Sequence, residues 1–243
     1  MLQSSSNVAF SRADPRSHLW WPLLFGGLAL LSIAFFDVDR RFAEAWFFNP
    51  QAQAWIGRHE FWANEFLHTG GRNLMRLTGV IAIIGWAVSF RIARLQPHRR
   101  ALGYFALCMA LVPLTVGALK EATNVDCPWD LQGFGGDRPL VHWYQDRPDD
   151  LPRAACFPGA HSSSAFALFA LYFLWLPGNP RRARWALLGV LVLGAAFSIA
   201  QQSRGAHFIS HDLASALIAW LICFGLHWRF HQPQLGKHDA SVV

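Results

Sequence analysis

The chain has 243 residues, of which 53% are hydrophobic and only 15% charged, so its apolar side chains fill either one large core or a bundle held in lipid. The formal net charge of +6 does not describe a nucleic-acid surface, because the arginines are split among short loops and no basic helix or aromatic-basic array is present. Apolar run length decides for lipid: residues 19–36, 101–119 and 185–202 each continue for eighteen or nineteen residues without a charge, about what ~30 Å of hydrocarbon requires.

Residues 1–18 read as a tail. The run 19–36 is too long for a cleavable leader and has no small-residue cleavage site, so it is expected to stay as a span. Residues 37–73 mix Trp46, Trp55 and Trp62 with charges and read as an amphipathic interfacial segment with its tryptophans at headgroup level. A second span is expected over 74–92, despite Arg76 near one end, and a third over 101–119. The fourth, 162–178, begins with three serines; the fifth is 185–202; the sixth, 208–228, carries His211 and Asp212 in its first turns. The expected fold is therefore all-α: a six-helix membrane bundle over 19–230, with short interfacial helices outside the membrane and a second tail over 231–243.

Arg91, Arg94, Arg99 and Arg100 lie between spans two and three, and Arg181, Arg182 and Arg184 between spans four and five. In a six-span chain these loops share one side, which the positive-inside rule makes cytoplasmic, together with both termini. The loops 37–73 and 120–161 then face the other way. No internal repeat or low-complexity tract is evident.

Three polar clusters stand at the ends of apolar runs, where ionisable groups are costly and so are candidates for function. The first is Lys120, followed by EATNVDCPWD; the second is CFPGAHSSSAF, 156–166; the third is RGAHFISHD, 204–212. The topology puts all three on the side opposite the arginine loops. Lysine, arginine, several histidines and a Pro-Gly turn leading into a helix suit a phosphate. Lys120 and Arg204 would meet its charge, the amides of Gly159 and Ala160 with the Ser162 hydroxyl its oxygens, and the histidines would move protons and the phosphoryl group. Ser162 and Ser163 also suit helix capping, and Lys120 could snorkel to the headgroups. His207 and His211, four apart, would also suit a metal on one helix face, but two nearby cations oppose one and no third ligand is obvious, so neither a metal nor a cofactor is expected.

These residues resemble the type 2 phosphatidic acid phosphatases, the family that shares its site with vanadium haloperoxidases and glucose-6-phosphatase. Its three motifs are Lys, six residues, Arg-Pro; Pro-Ser-Gly-His; and Ser-Arg, five residues, His, three residues, Asp. Here they are matched by Lys120 with Cys127-Pro128, by Pro158-Gly159-Ala160-His161, and by Arg204 to Asp212. The resemblance implies metal-independent hydrolysis in two steps: a histidine of the third motif, His207, attacks phosphorus, and His161 protonates the leaving oxygen. Two positions depart from the pattern. Cys127 stands where the family has a phosphate-holding arginine, leaving Arg138 or Arg204 to replace it. Four positions after His207, where the family has aspartate, stands His211, which is expected to orient His207; Asp212, a further ~100° around the helix, is less well aimed and could fix His211 or His161 instead. Six positions before His207 stands Gln201 rather than arginine.

Cys127 and Cys156 share the loop facing out of the cytoplasm, an oxidising setting in which a disulfide persists, whereas Cys108 and Cys223 fall within spans as packing residues. Trp129, Trp143 and Tyr144 would shape the pocket mouth, and the glycines of 133–136 a turn.

The expected activity is hydrolysis of a membrane lipid phosphate or polyprenyl diphosphate at the periplasmic face of a bacterial-type inner membrane. Two alternatives stay open: transfer of the phosphoryl group to another lipid, and non-catalytic binding or transport of a lipid phosphate. The sequence does not fix the oligomeric state.

Overall fold

The computed structural model describes residues 13–141 and 145–230. Its elements are α1 (Trp21–Phe35), α2 (Val38–Trp46), a two-stranded hairpin of β1 (Phe48–Asn49) and β2 (Ala54–Trp55), α3 (Gly71–Val88), α4 (Arg99–Thr123), α5 (Ala160–Phe166), α6 (Phe169–Trp175), α7 (Pro180–Ser203) and α8 (Ile209–Phe230). A wide, π-helical stretch, Trp62–Gly70, leads directly into α3.

Four helical stretches are long and apolar enough to cross a membrane: Arg16–Phe35, Ala93–Asp130, Pro180–Ser203 and Ile209–Phe230. Of the two other expected spans, the first is α3, whose opening turns carry Arg72 and Arg76. The second is divided into the short helices α5 and α6 and amounts to a short apolar segment, Ala160–Trp175. The large apolar residues of α1 and of the outer faces of α3 and α7 are exposed, among them Phe35, Ile81 and Val192, as lipid-facing positions are.

The helices pack around an aromatic core. Tyr104, Cys108 and Val112 of α4 meet Phe169 and Phe173 of α6, Val190 of α7, and Cys223 and Phe224 of α8. The buried Tyr104 hydroxyl donates to the Cys223 carbonyl at 2.9 Å, which satisfies it in an apolar surround. Cys108 and Cys223 are free and buried, as their place within spans predicts. At the start of α7, Pro180 occupies the first helical turn and the Asn179 side chain accepts the Arg182 amide at 2.9 Å.

The segment before α3 departs from the interfacial expectation at one tryptophan. Trp46 and Trp62 are exposed, but Trp55 is buried with Phe48, Leu131, Phe134 and Phe208. Its indole donates to the Phe134 carbonyl at 3.2 Å, and its ring fills the space over Gly205, where a Cβ would come within 2.4 Å of it. Gly205, at φ +76°, thus makes the turn between α7 and α8 and leaves room for the ring. Asp39 of α2 accepts the Ser210 amide at 2.9 Å, capping the start of α8 from another part of the chain.

Candidate active site

Lys120, His161 and His207 line one cavity of about 660 Å³, together with Ala160 and Gln201. Lys120 sits in the last turn of α4, twenty-one residues and roughly 30 Å along the axis from Arg99 at its start. His161 opens α5, Gln201 closes α7, and His207 lies in the turn before α8. The arginine-rich ends of α4 and α7 are thus opposite to the ends that bear the site.

The loop between α4 and α5 is cross-braced. Asn124 ends α4 in a left-handed turn (φ 54°), and its side chain accepts the Ala154 amide at 2.8 Å. Cys127 and Cys156 form a disulfide, with their Cα atoms 5.1 Å apart. Asp126 accepts from Arg147 at 2.8 and 2.9 Å and from Arg138. Arg138 is therefore committed to a buried carboxylate, whose hydrogen bond raises its pKa above the ordinary value, and does not line the cavity as a substitute for Cys127. Gly133 and Gly135, both at positive φ, form the predicted turn. Trp129 packs under Arg58 with the guanidinium 5.5 Å from its ring centre; Trp143 and Tyr144 lie outside the described residues.

His207 Nδ1 donates to Asp212 Oδ1 at 2.8 Å. The same carboxylate accepts from the Ser162 hydroxyl at 2.7 Å and, through Oδ2, from Gln202 Nε2 at 2.8 Å. The expected partner was His211, on family spacing. His211 instead turns away into a pocket of rings, edge-on to Phe157 and Phe208 at 5.4 and 5.6 Å, and its Nδ1 has no hydrogen-bond partner. The spacing argument fails because His207 precedes α8: the turn swings its ring over the face that carries Asp212, so helical angle does not govern the pairing.

Two expected phosphate ligands are also engaged elsewhere. The Gly159 amide donates to the His211 carbonyl at 2.9 Å, and its carbonyl accepts the Ser215 hydroxyl at 2.8 Å. A Cβ on Gly159 would lie 2.7 Å from both Asp212 Oδ1 and His207 Nδ1, so this glycine lets the chain pass against the pair. Ser162 is held by Asp212; the serine that lines the cavity is Ser164, two residues further along.

His161 stacks on Phe197 with ring centres 4.5 Å apart, and its Nε2 donates to the Leu67 carbonyl at 3.1 Å. His68, in the π-helical stretch, lies beside it at 4.9 Å. Burial first, then the charges of Arg204 and Arg72, lower the pKa of His68 to about 4, so its ring is neutral at physiological pH. Arg204 is half-buried near Arg58 and Arg72 and donates to Gln201 Oε1; burial and those two charges lower its pKa. It thus reaches the cavity through Gln201, whose amide nitrogen is left free of that bond.

His68, Arg72 and Arg76, spaced four apart, also line the cavity and were missed from sequence. The rule that flagged Lys120 applies to them equally, and their spacing puts them on one helix face.

A profile of the PAP2 superfamily matches residues 101–234. The chain belongs to the PAP2 superfamily. No curated protein and no solved structure gives a significant match. PAP2 membership supports a phosphoester hydrolase as the activity class, and the four helical stretches long and apolar enough to span suggest a membrane protein. The PAP2 match begins just inside α4, so Leu67, His68, Arg72 and Arg76 lie outside it.

Proposed function

We propose that this PAP2 protein is a lipid phosphatase that works through a phosphohistidine on His207. The single observation that carries the reading is the bond from His207 Nδ1 to Asp212: it fixes the tautomer, so the Nε2 lone pair is the nucleophile, on a ring that lines the cavity with Lys120 and His161. Nε2 attacks phosphorus while the bond to the leaving oxygen breaks, and Asp212 steadies the positive ring. Lys120 and the Gln201 amide meet the equatorial oxygens, with Arg204 behind Gln201. His161 protonates the leaving oxygen from Nδ1: with Nε2–H bonded to Leu67, Nδ1 carries a proton only in the cationic ring, which forms as the anionic substrate binds and regains its proton from the attacking water. Water then adds to phosphorus, the N–P bond breaks with its electron pair returning to Nε2, and phosphate leaves. No metal takes part in these steps.

The arginines at the far ends of α4 and α7 favour a cytoplasmic assignment for that side, hence a periplasmic site in an inner membrane with both termini in the cytoplasm. A substrate anchored in lipid suits a pocket at helix ends. Non-catalytic binding drew its support from the missing arginine at 127 and the missing aspartate at 211; Asp212 makes the contact expected of the second, which favours catalysis.

The test is phosphate release from a panel of lipid phosphates by purified protein, with and without chelator, and acid-labile phosphate trapped on the chain. Release by wild type, lost in His207→Ala together with the trapped phosphate, is expected. Unchanged release in that variant, or strong inhibition by chelator, defeats the mechanism; phosphate appearing on an added lipid acceptor instead of in solution favours transfer.

A further inference from the structure

One face of one helical run supplies a whole wall of the cavity. His68, Arg72 and Arg76 come first, and Gly79, Val80 and Ile83 continue the same stripe, so the wall is polar at His68, cationic over the turn from Arg72 to Arg76 and apolar beyond. Arg72 and Arg76 are four residues and roughly 6 Å apart along the axis. Among the described residues neither has an ion-pair partner, and no carboxylate lines this cavity. Arg72 Nε is buried with no hydrogen-bond partner. Arg72 is partly buried and Arg76 exposed beside it, and two uncompensated like charges this close are unfavourable unless an anion binds between them.

Their place relative to the reacting groups says which part of a ligand that anion belongs to. His68 lies against His161, the residue that serves the leaving oxygen, and Arg72 and Arg76 follow it one and two turns further along the same cavity wall, on the leaving-group side. Moving outward from His207, a ligand would meet His161, then the two arginines, then an apolar channel between α3 and α4 bordered by Met109 and Pro113.

We infer that Arg72 and Arg76 form a second anion subsite that selects amphiphiles carrying a further phosphate between the scissile phosphate and the tail, as a lipid diphosphate does. This rests on the phosphatase reading above. In such a substrate, His207 Nε2 bonds to the terminal phosphorus, the bond from that phosphorus to the bridging oxygen breaks, and the electron pair stays with the departing lipid monophosphate. Its charge is then held by the two guanidiniums, which form bidentate contacts with phosphate oxygens.

The test compares kcat/KM for a lipid monophosphate and a lipid diphosphate with the same tail, in wild type, Arg72→Gln, Arg76→Gln and the double variant. Losing two charge-assisted contacts should lower the diphosphate value by about 100-fold in the double variant, and the monophosphate value at least about tenfold less. Arg72→Lys with Arg76→Lys should recover part of the preference. Equal losses on both substrates, or no loss on either, overturn the subsite; the monophosphate rate in the same preparation controls for folding. If wild type releases phosphate from neither substrate, the phosphatase reading is what fails. Binding of a methylene-bridged lipid diphosphonate then decides: weaker binding by the double variant supports the subsite, and equal binding overturns it.

Discussion

Replacing Asp212 by asparagine separates the two candidate partners of His207 with little change in shape. Asp212 accepts three hydrogen bonds, from His207 at 2.8 Å, Ser162 at 2.7 Å and Gln202 at 2.8 Å. Asparagine Oδ1 can still accept from His207 and Ser162, and Gln202 can rotate its amide to present oxygen to the new nitrogen, so the packing survives. What is lost is the negative charge facing a ring that becomes cationic when Nε2 bonds to phosphorus. In a buried site that loss is worth roughly 4–5 kcal/mol of transition-state stabilisation, a fall in kcat of about 10³–10⁴ at 1.36 kcal/mol per decade. His211→Gln removes a ring that touches Phe157 and Phe208 and makes no bond to His207, so kcat should stay within about fivefold and the cost should fall on stability, about 1–3 kcal/mol. The assay is phosphate release at saturating lipid phosphate in detergent micelles, with KM measured separately. The assignment is refuted if Asp212→Asn keeps more than about a tenth of wild-type kcat, or if His211→Gln falls as far.

Alkylation with and without reductant should find Cys127 and Cys156 protected until reduced; for a sequence separation of 29, breaking the bridge removes roughly 3–4 kcal/mol by loop-closure entropy. Gly159→Ala drives a methyl group against the His207–Asp212 pair, so kcat should drop by at least about 100-fold while the protein stays folded; near-normal turnover would show that the pair is not held where described. His68 titrates near 4 when folded against 6.5 ordinarily, so below 6.5 the unfolded chain takes up a proton that the folded chain refuses. Stability is then complete above pH 6.5 and falls between 6.5 and 4, and His68→Gln should flatten that fall in thermal-unfolding midpoints. An oxyanion favours the charged ring, so vanadate binding at pH 5–6 should take up protons in wild type and fewer in His68→Gln, measured by calorimetry in buffers of different ionisation heat.

The long apolar runs and the three polar clusters were legible because membrane thickness and the expense of buried charge act on composition alone. Lys120, His161 and His207 could be placed on one face by counting spans, and the Cys127–Cys156 pairing followed from a shared loop. The partner of His207 was not legible: the choice between His211 and Asp212 depends on how the turn after Gly205 aims the ring, and helical geometry does not extend into that turn. Arg138 was misjudged for a related reason, since its carboxylate, Asp126, is twelve residues away and only the folded loop brings them together. His68, Arg72 and Arg76 were within reach, but a span boundary drawn at residue 74 cut their four-residue spacing in two.

Asp39 caps α8, Leu67 holds His161, and Trp55 sits over the turn that carries His207. All three belong to the first hundred residues, ahead of the PAP2 match, so the recognisable part of this chain is smaller than the part needed to assemble its chemistry. A fragment trimmed to 101–234 would keep each motif residue yet leave α8 uncapped, His161 free to turn and Gly205 facing an empty space. Swapping this family core between related enzymes would accordingly carry the nucleophile across without the contacts that aim it.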